Sequence, residues 1–99
     1  KDEYFGNHFH KGDDPSKNPE RFLLISGVLQ VELLTKEGEY FREILGSETG
    51  AVELIIQPWI LHRMKALEEC LYVEYRKTIF DPSRPDTYPA EEFPHQFKD

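Results

Sequence analysis

Gly6-Asn7-His8-Phe9-His10, then Glu20-Arg21-Phe22-Leu23-Leu24-Ile25-Ser26-Gly27, and much later Ile56-Gln57-Pro58-Trp59-Ile60-Leu61-His62, are the stretches that constrain this chain most. Side chains alternate along a strand, so His8 and His10 share a face if the first stretch is extended. Glu20 begins a second apolar run, and His62 follows a Pro-Trp turn into a later one. Three of the four histidines and one carboxylate are therefore spaced so that a small β-barrel could gather them. Neutral imidazoles with a carboxylate suit one divalent transition metal, zinc first, with iron, nickel or manganese as alternatives.

Outward from these stretches the pattern is β throughout. Extended runs are predicted at Phe5 to His10, Arg21 to Ile25, Val28 to Thr35, Tyr40 to Leu45, Ala51 to Ile56, Ile60 to His62 and Leu71 to Arg76. Ser26-Gly27 reads as a tight hairpin turn, and Glu37-Gly38-Glu39 and Gly46-Ser47-Glu48-Thr49-Gly50 as further turns. Lys11 to Pro19 is a loop by its Gly, Pro, Asp and Asn content. Short strands with frequent turns predict a sandwich or barrel. The Pro-rich run Asp81 to Pro89 is unsuited to a central strand and reads as an extended arm, with a polar tail from there to Asp99.

Ninety-nine residues make one domain with a modest core. The net charge of −7, from 12 basic and 19 acidic residues, argues against nucleic acid, which needs a basic footprint. No apolar run approaches the ~20 residues a membrane helix requires, so a soluble protein is expected. The single Cys70 cannot form an intrachain disulfide, which fits a reducing cytoplasm. The chain opens at Lys1 without a recognisable targeting segment and reads as part of something longer.

The residues resemble the cupin superfamily of RmlC-like proteins. His8-x-His10, Glu20 and Gly27 follow the order of that family's first motif, with a longer loop between His10 and Glu20. Gly50 and His62 fit the second approximately, while Gln57, Trp59 and Ala66 stand where the family carries Pro, Gly and Asn. A narrower resemblance joins Gly6-Asn7-His8-Phe9-His10, Glu20-x-Phe22-Leu23-x-x-Ser26-Gly27 and Phe80-Asp81-Pro82-x-x-Pro85-Asp86-Thr87-Tyr88. It is similar to the C-terminal cupin of bifunctional capsular-polysaccharide UDP-sugar reductase/epimerases, and the general layout is shared by sugar-nucleotide 3,4-ketoisomerases. The resemblance implies a double-stranded β-helix (jelly-roll) barrel, with His8, His10, Glu20 and His62 as metal ligands. It also implies zinc and an isomerase or epimerase acting on a keto sugar nucleotide in polysaccharide biosynthesis.

Each candidate has a plainer reading. The histidines could be the polar lining of a metal-free pocket, and Asp13 or Asp14 could supply the carboxylate in place of Glu20. Cys70, Tyr72, Glu74 and Arg76 alternate on one face of the last long strand, and Leu71, Val73 and Tyr75 on the other. If the polar face turns inward, Tyr72 and Glu74 are the candidate catalytic acid and base and Arg76 the anchor for an anionic substrate group. Lys11, Arg21, Arg63 and Lys65 are expected to be largely solvated, Trp59 and Met64 to pack at a rim or interface, His95 to lie on the surface, and Cys70 in the core. The competing function classes are an iron-dependent dioxygenase and a non-catalytic metal- or sugar-binding module. A homodimer is expected under all of them, since an open sheet edge needs cover.

Overall fold

The computed structural model describes residues 3–13, 19–46, 50, 52–75 and 86–98. Strands β1 (Tyr4–Phe9), β2 (Glu20–Ser26), β3 (Leu29–Thr35), β4 (Tyr40–Leu45), β5 (Glu53–Ile56), β6 (Ile60–Ala66), β7 (Leu71–Tyr75) and β8 (Tyr88–Pro89) follow in order, and a 3-10 turn spans Ala90–Glu92. They form a five-stranded sheet, β4-β3-β6-β1-β8, facing a three-stranded sheet, β5-β2-β7. Every pairing among the described residues is antiparallel. This is the all-β double-sheet barrel expected of a cupin-type fold.

Alternation builds the core. Phe22 and Leu24 from the small sheet meet Leu29, Val31, Leu45 and Met64 from the large one, with Leu54 and Ile56 closing the layer. Met64 is therefore a core residue, 3 % exposed, rather than rim packing, because it alternates in step with His62 on the inward face of β6. Cys70 packs against the same cluster.

The hairpin expected at Ser26-Gly27 is not formed. β2 and β3 lie in different sheets, so this link carries the chain across the barrel. Gly27 is required there for another reason: its φ is +92°, and a Cβ would collide with the backbone of Glu69 and Cys70. The hairpin signal at Glu37-Gly38-Glu39 does join β3 to β4, with Gly38 N–H donating to the Thr35 carbonyl at 2.9 Å.

Residues beyond the Pro-rich run are not a polar tail. Ala90 and Phe93 are buried and, with Phe9, Leu34 and Leu61, form a second apolar cluster on the outer face of the large sheet. Phe97 extends this cover and lies against the Arg63 guanidinium, 4.5 Å from its ring centroid. Arg63 is accordingly buried rather than solvated, and it donates from Nε to Glu32 Oε2 at 2.8 Å. Lys11, also expected in solvent, is half-buried with its ammonium 4.1 Å from the centre of the Tyr88 ring.

Candidate metal centre

β1 is irregular where it matters. Phe5 pairs with Met64 and His8 with His62, so the register slips by one residue between them. Gly6 takes up the slip with φ +66°, a bulge geometry that glycine adopts at little cost. Phe5 can then face the core while His8 and His10, three and five residues on, also face inward. Phe9 between them points out, into the cluster beneath the C-terminal segment.

His62 stands directly across from His8 on β6, and their ring centroids are 4.5 Å apart. Glu20 comes from the opposite sheet, as the first residue of β2. One ligand-capable atom from each of His8, His10, Glu20 and His62 can be chosen so that all lie within 4.8 Å of one another. His10, Glu20 and His62 are buried, whereas His8 is only half-buried, so the cluster meets solvent on the His8 side.

The hydrogen bonds around the rings set which nitrogens face inward. His10 Nδ1–H donates to the Asp86 carbonyl at 2.7 Å, and His62 Nδ1–H to the Ile60 carbonyl at 3.1 Å. A carbonyl only accepts, so in each neutral ring the lone pair is on Nε2. Those two Nε2 atoms approach the two Glu20 oxygens at 2.9 and 3.3 Å. With the rings neutral, Glu20 Oε1 and His62 Nε2 have no hydrogen-bond donor among the described residues. Lone pairs converging at that range require a cation between them, a proton or a metal ion. Burial works to raise the Glu20 pKa, but when His10 and His62 are protonated on Nε2 their hydrogen bonds and charge outweigh it and hold the carboxyl well below the usual carboxylate range, and a cation in the protons' place acts in the same direction. The donor set therefore fits a divalent transition metal: imidazole nitrogens whose far sides are held, and a carboxylate that stays ionised.

The other sequence candidates fall out differently. Tyr72 faces inward on β7, stacked on Phe5 and edge-on to Phe22 at ring-centroid distances of 6.0 and 5.9 Å. Its pKa is raised, by burial first and then by the charges of Cys70, Glu74 and Glu20. Glu74 pairs with Phe22, so it shares the inward face one row from Glu20, but at an exposed position. Arg76 and Asp14 lie outside the described residues. Asp13 is exposed, accepts from the Tyr88 hydroxyl at 3.4 Å and is not among the clustered ligand groups. Trp59 packs on Phe9 with φ +62°, where the family motif has glycine. His95 is exposed, as expected.

Two groups near the centre were not anticipated as contributors. Asp86, only 4 % exposed, reaches His10 from the far end of the chain. The buried Glu32–Arg63 pair sits on the opposite face of β6 from His62. The Pro-Asp-Thr-Tyr run was the available signal for the first, and nothing local marks the second.

No protein-family profile matches the chain, and no curated protein matches it. Solved structures do. The chain is similar to CapF, a capsular polysaccharide assembling protein from Staphylococcus aureus, at 22 % identity over 89 % of its length with a TM-score of 0.70. A second crystal form of that protein, in space group C2221, gives a TM-score of 0.71 at the same identity. CapF with the inhibitor 3-isopropenyl-tropolone also gives 0.71. The chain spans about a quarter of the length of these proteins, 24 to 25 %. At that identity the likeness establishes the fold, a cupin-type barrel. Among the described residues no helix is long and apolar enough to cross a membrane.

Proposed function

We propose that this chain is a metal-binding cupin-type domain that isomerises or epimerises a keto sugar nucleotide in polysaccharide assembly. The observation that carries the proposal is the convergence of His8, His10, Glu20 and His62 within 4.8 Å, with two imidazole lone pairs aimed at one buried carboxylate. Its fold likeness to a capsular polysaccharide assembling protein supports the substrate class.

A divalent metal held by His8, His10, Glu20 and His62 would supply a Lewis acid for a substrate carbonyl oxygen. The rest of the chemistry falls to the chain. Removing a proton beside a carbonyl needs a base, and Glu74, on the inward face and open to solvent, is the carboxylate we assign to that role. Tyr72, which faces inward on β7 and is a protonated phenol at neutral pH, would be the donor whose hydroxyl returns a proton. The apolar packing of Phe5 and Phe22 on the Tyr72 ring holds that hydroxyl in place. Arg76 would meet the phosphates.

The test is metal analysis of the purified protein beside His62→Ala, followed by turnover without oxygen. About one zinc per chain, lost in the variant, together with solvent deuterium entering a keto sugar nucleotide next to its carbonyl, is the expected result. Dependence on iron with oxygen consumption would replace this reading by a dioxygenase. Ligand affinity without deuterium exchange would replace it by a binding module.

A further inference from the structure

Asp86 is buried, at 4 % exposure, and holds a left-handed backbone with φ +37°. Asp and Asn tolerate that conformation better than other side chains. Its backbone carbonyl accepts the His10 Nδ1–H at 2.7 Å. Its carboxylate accepts the Lys11 N–H at 2.8 Å and the Gly12 N–H at 3.0 Å. One residue therefore grips both the His10 ring and the backbone that follows it, from a position 76 residues away in the chain. On the other side the Trp59 N–H donates to the His10 carbonyl at 2.7 Å, so the backbone of His10 cannot swing to compensate.

We infer that Asp86 is a positioning residue for the metal centre: its carboxylate clamps the Lys11-Gly12 backbone and so holds its own carbonyl on His10 Nδ1, fixing the tautomer and aim of Nε2. The inference rests on the metal-binding reading above. The His10 contact is to the main chain, but the side chain is what keeps that main chain in place across the barrel. A ring held this way enters the metal site without losing rotational freedom on binding, and the acceptor on Nδ1 strengthens Nε2 as a donor. It also makes metal uptake depend on the C-terminal arm being docked, since Asp86 leads directly into β8 and the buried Ala90 and Phe93.

The experiment uses the full chain and three proteins: wild type, Asp86→Gly and Asp86→Asn. Glycine keeps the carbonyl and the positive φ and removes only the clamp. Asparagine restores one acceptor oxygen. Zinc affinity is read by competition with a chromophoric chelator, coordination by the visible spectrum of the cobalt-loaded protein, and folding by the melting temperature of the metal-free protein. Asp86→Gly should bind zinc about ten-fold or more weakly with an altered cobalt spectrum, and Asp86→Asn should recover part of the loss. Wild-type affinity and spectrum in a folded Asp86→Gly would overturn the inference. So would a lower metal-free melting temperature with unchanged affinity, the mark of a merely structural brace. If Asp86→Gly does not fold, Asp86→Asn decides alone: weaker binding supports the role and wild-type binding removes it. A wild-type protein that takes up neither metal overturns the metal centre itself, and this inference with it, a result distinct from a failure of the variants.

Discussion

At the residue scale the molecule uses buried charge twice, on opposite faces of one strand. His62 faces the barrel and Glu20, while Arg63 faces out and meets Glu32, bonded through Nε at 2.8 Å and aligned under the Tyr4 and Phe97 rings. Tyr40 adds a hydroxyl donor to Glu32. Burial acts to raise the Glu32 pKa, but Arg63, Tyr40 and Tyr4 outweigh it through hydrogen bonds and charge, so the carboxyl is held below its ordinary value. A depressed carboxylate contributes stability that is fully present above the unfolded-state pKa, about 4.3, and is lost as pH falls through the lower folded value. The melting temperature should therefore decline as pH falls below about 4.3, and less steeply in Glu32→Gln combined with Arg63→Met. Arg63→Ala alone leaves the carboxylate buried without its guanidinium and should cost about 3–5 kcal/mol in denaturant unfolding. The two faces of β6 differ in purpose. The outer pair satisfies itself, whereas the inner cluster calls for a cation.

At the element scale, the bulge in β1 and the C-terminal segment decide whether the inner cluster exists. Alternation from Phe5 alone would turn His8 outward, and the single-residue slip at Gly6 corrects it. Phe9, fully buried, anchors that strand from behind by packing edge-on to Phe93 at 4.9 Å and beside Tyr88 at 5.5 Å. The segment from 88 to 97 thus works as a wall of the fold. Phe93→Ala should cost about 3–5 kcal/mol, a core-sized loss, where a polar tail would show almost none. Thermal unfolding of the variant checks it. Most strand positions were readable from alternation and turn residues. What misled was Ser26-Gly27, whose glycine serves a crossing between sheets, and the C-terminal composition, whose few apolar residues are spaced irregularly along a polar background. Neither a crossover nor a cover leaves a periodic signature, because both depend on what the chain meets and not on its own repeat.

At the scale of the whole molecule, the small sheet remains exposed on its outer face. Ile25, Ile55, Leu71 and Val73 are 56, 43, 57 and 42 % exposed, and Leu23 lies between Val73 and Glu53 on the central strand. We propose that a second copy of the chain covers this face, giving a homodimer. Sedimentation should show a dimer that Ile25→Asp with Val73→Asp converts to a monomer of unchanged strand content. A wild-type monomer at micromolar concentration would remove the proposal. The candidate metal centre lies on the inner side of the same sheet through Glu20, so any metal uptake by the wild type should survive that change.

The sequence by itself determined the all-β class, the approximate strands and the residue types of a candidate metal centre. Side-chain alternation is a local property, and three histidines with a glutamate carry their chemistry wherever they are placed. Only the tertiary structure decided that the four groups converge, that Glu20 reaches them from the opposite sheet, and that Asp86 braces His10 from the far end of the chain. Those outcomes depend on strand register, on a one-residue bulge and on contacts between segments distant in sequence, and a linear pattern holds no record of which distant backbone a side chain will meet.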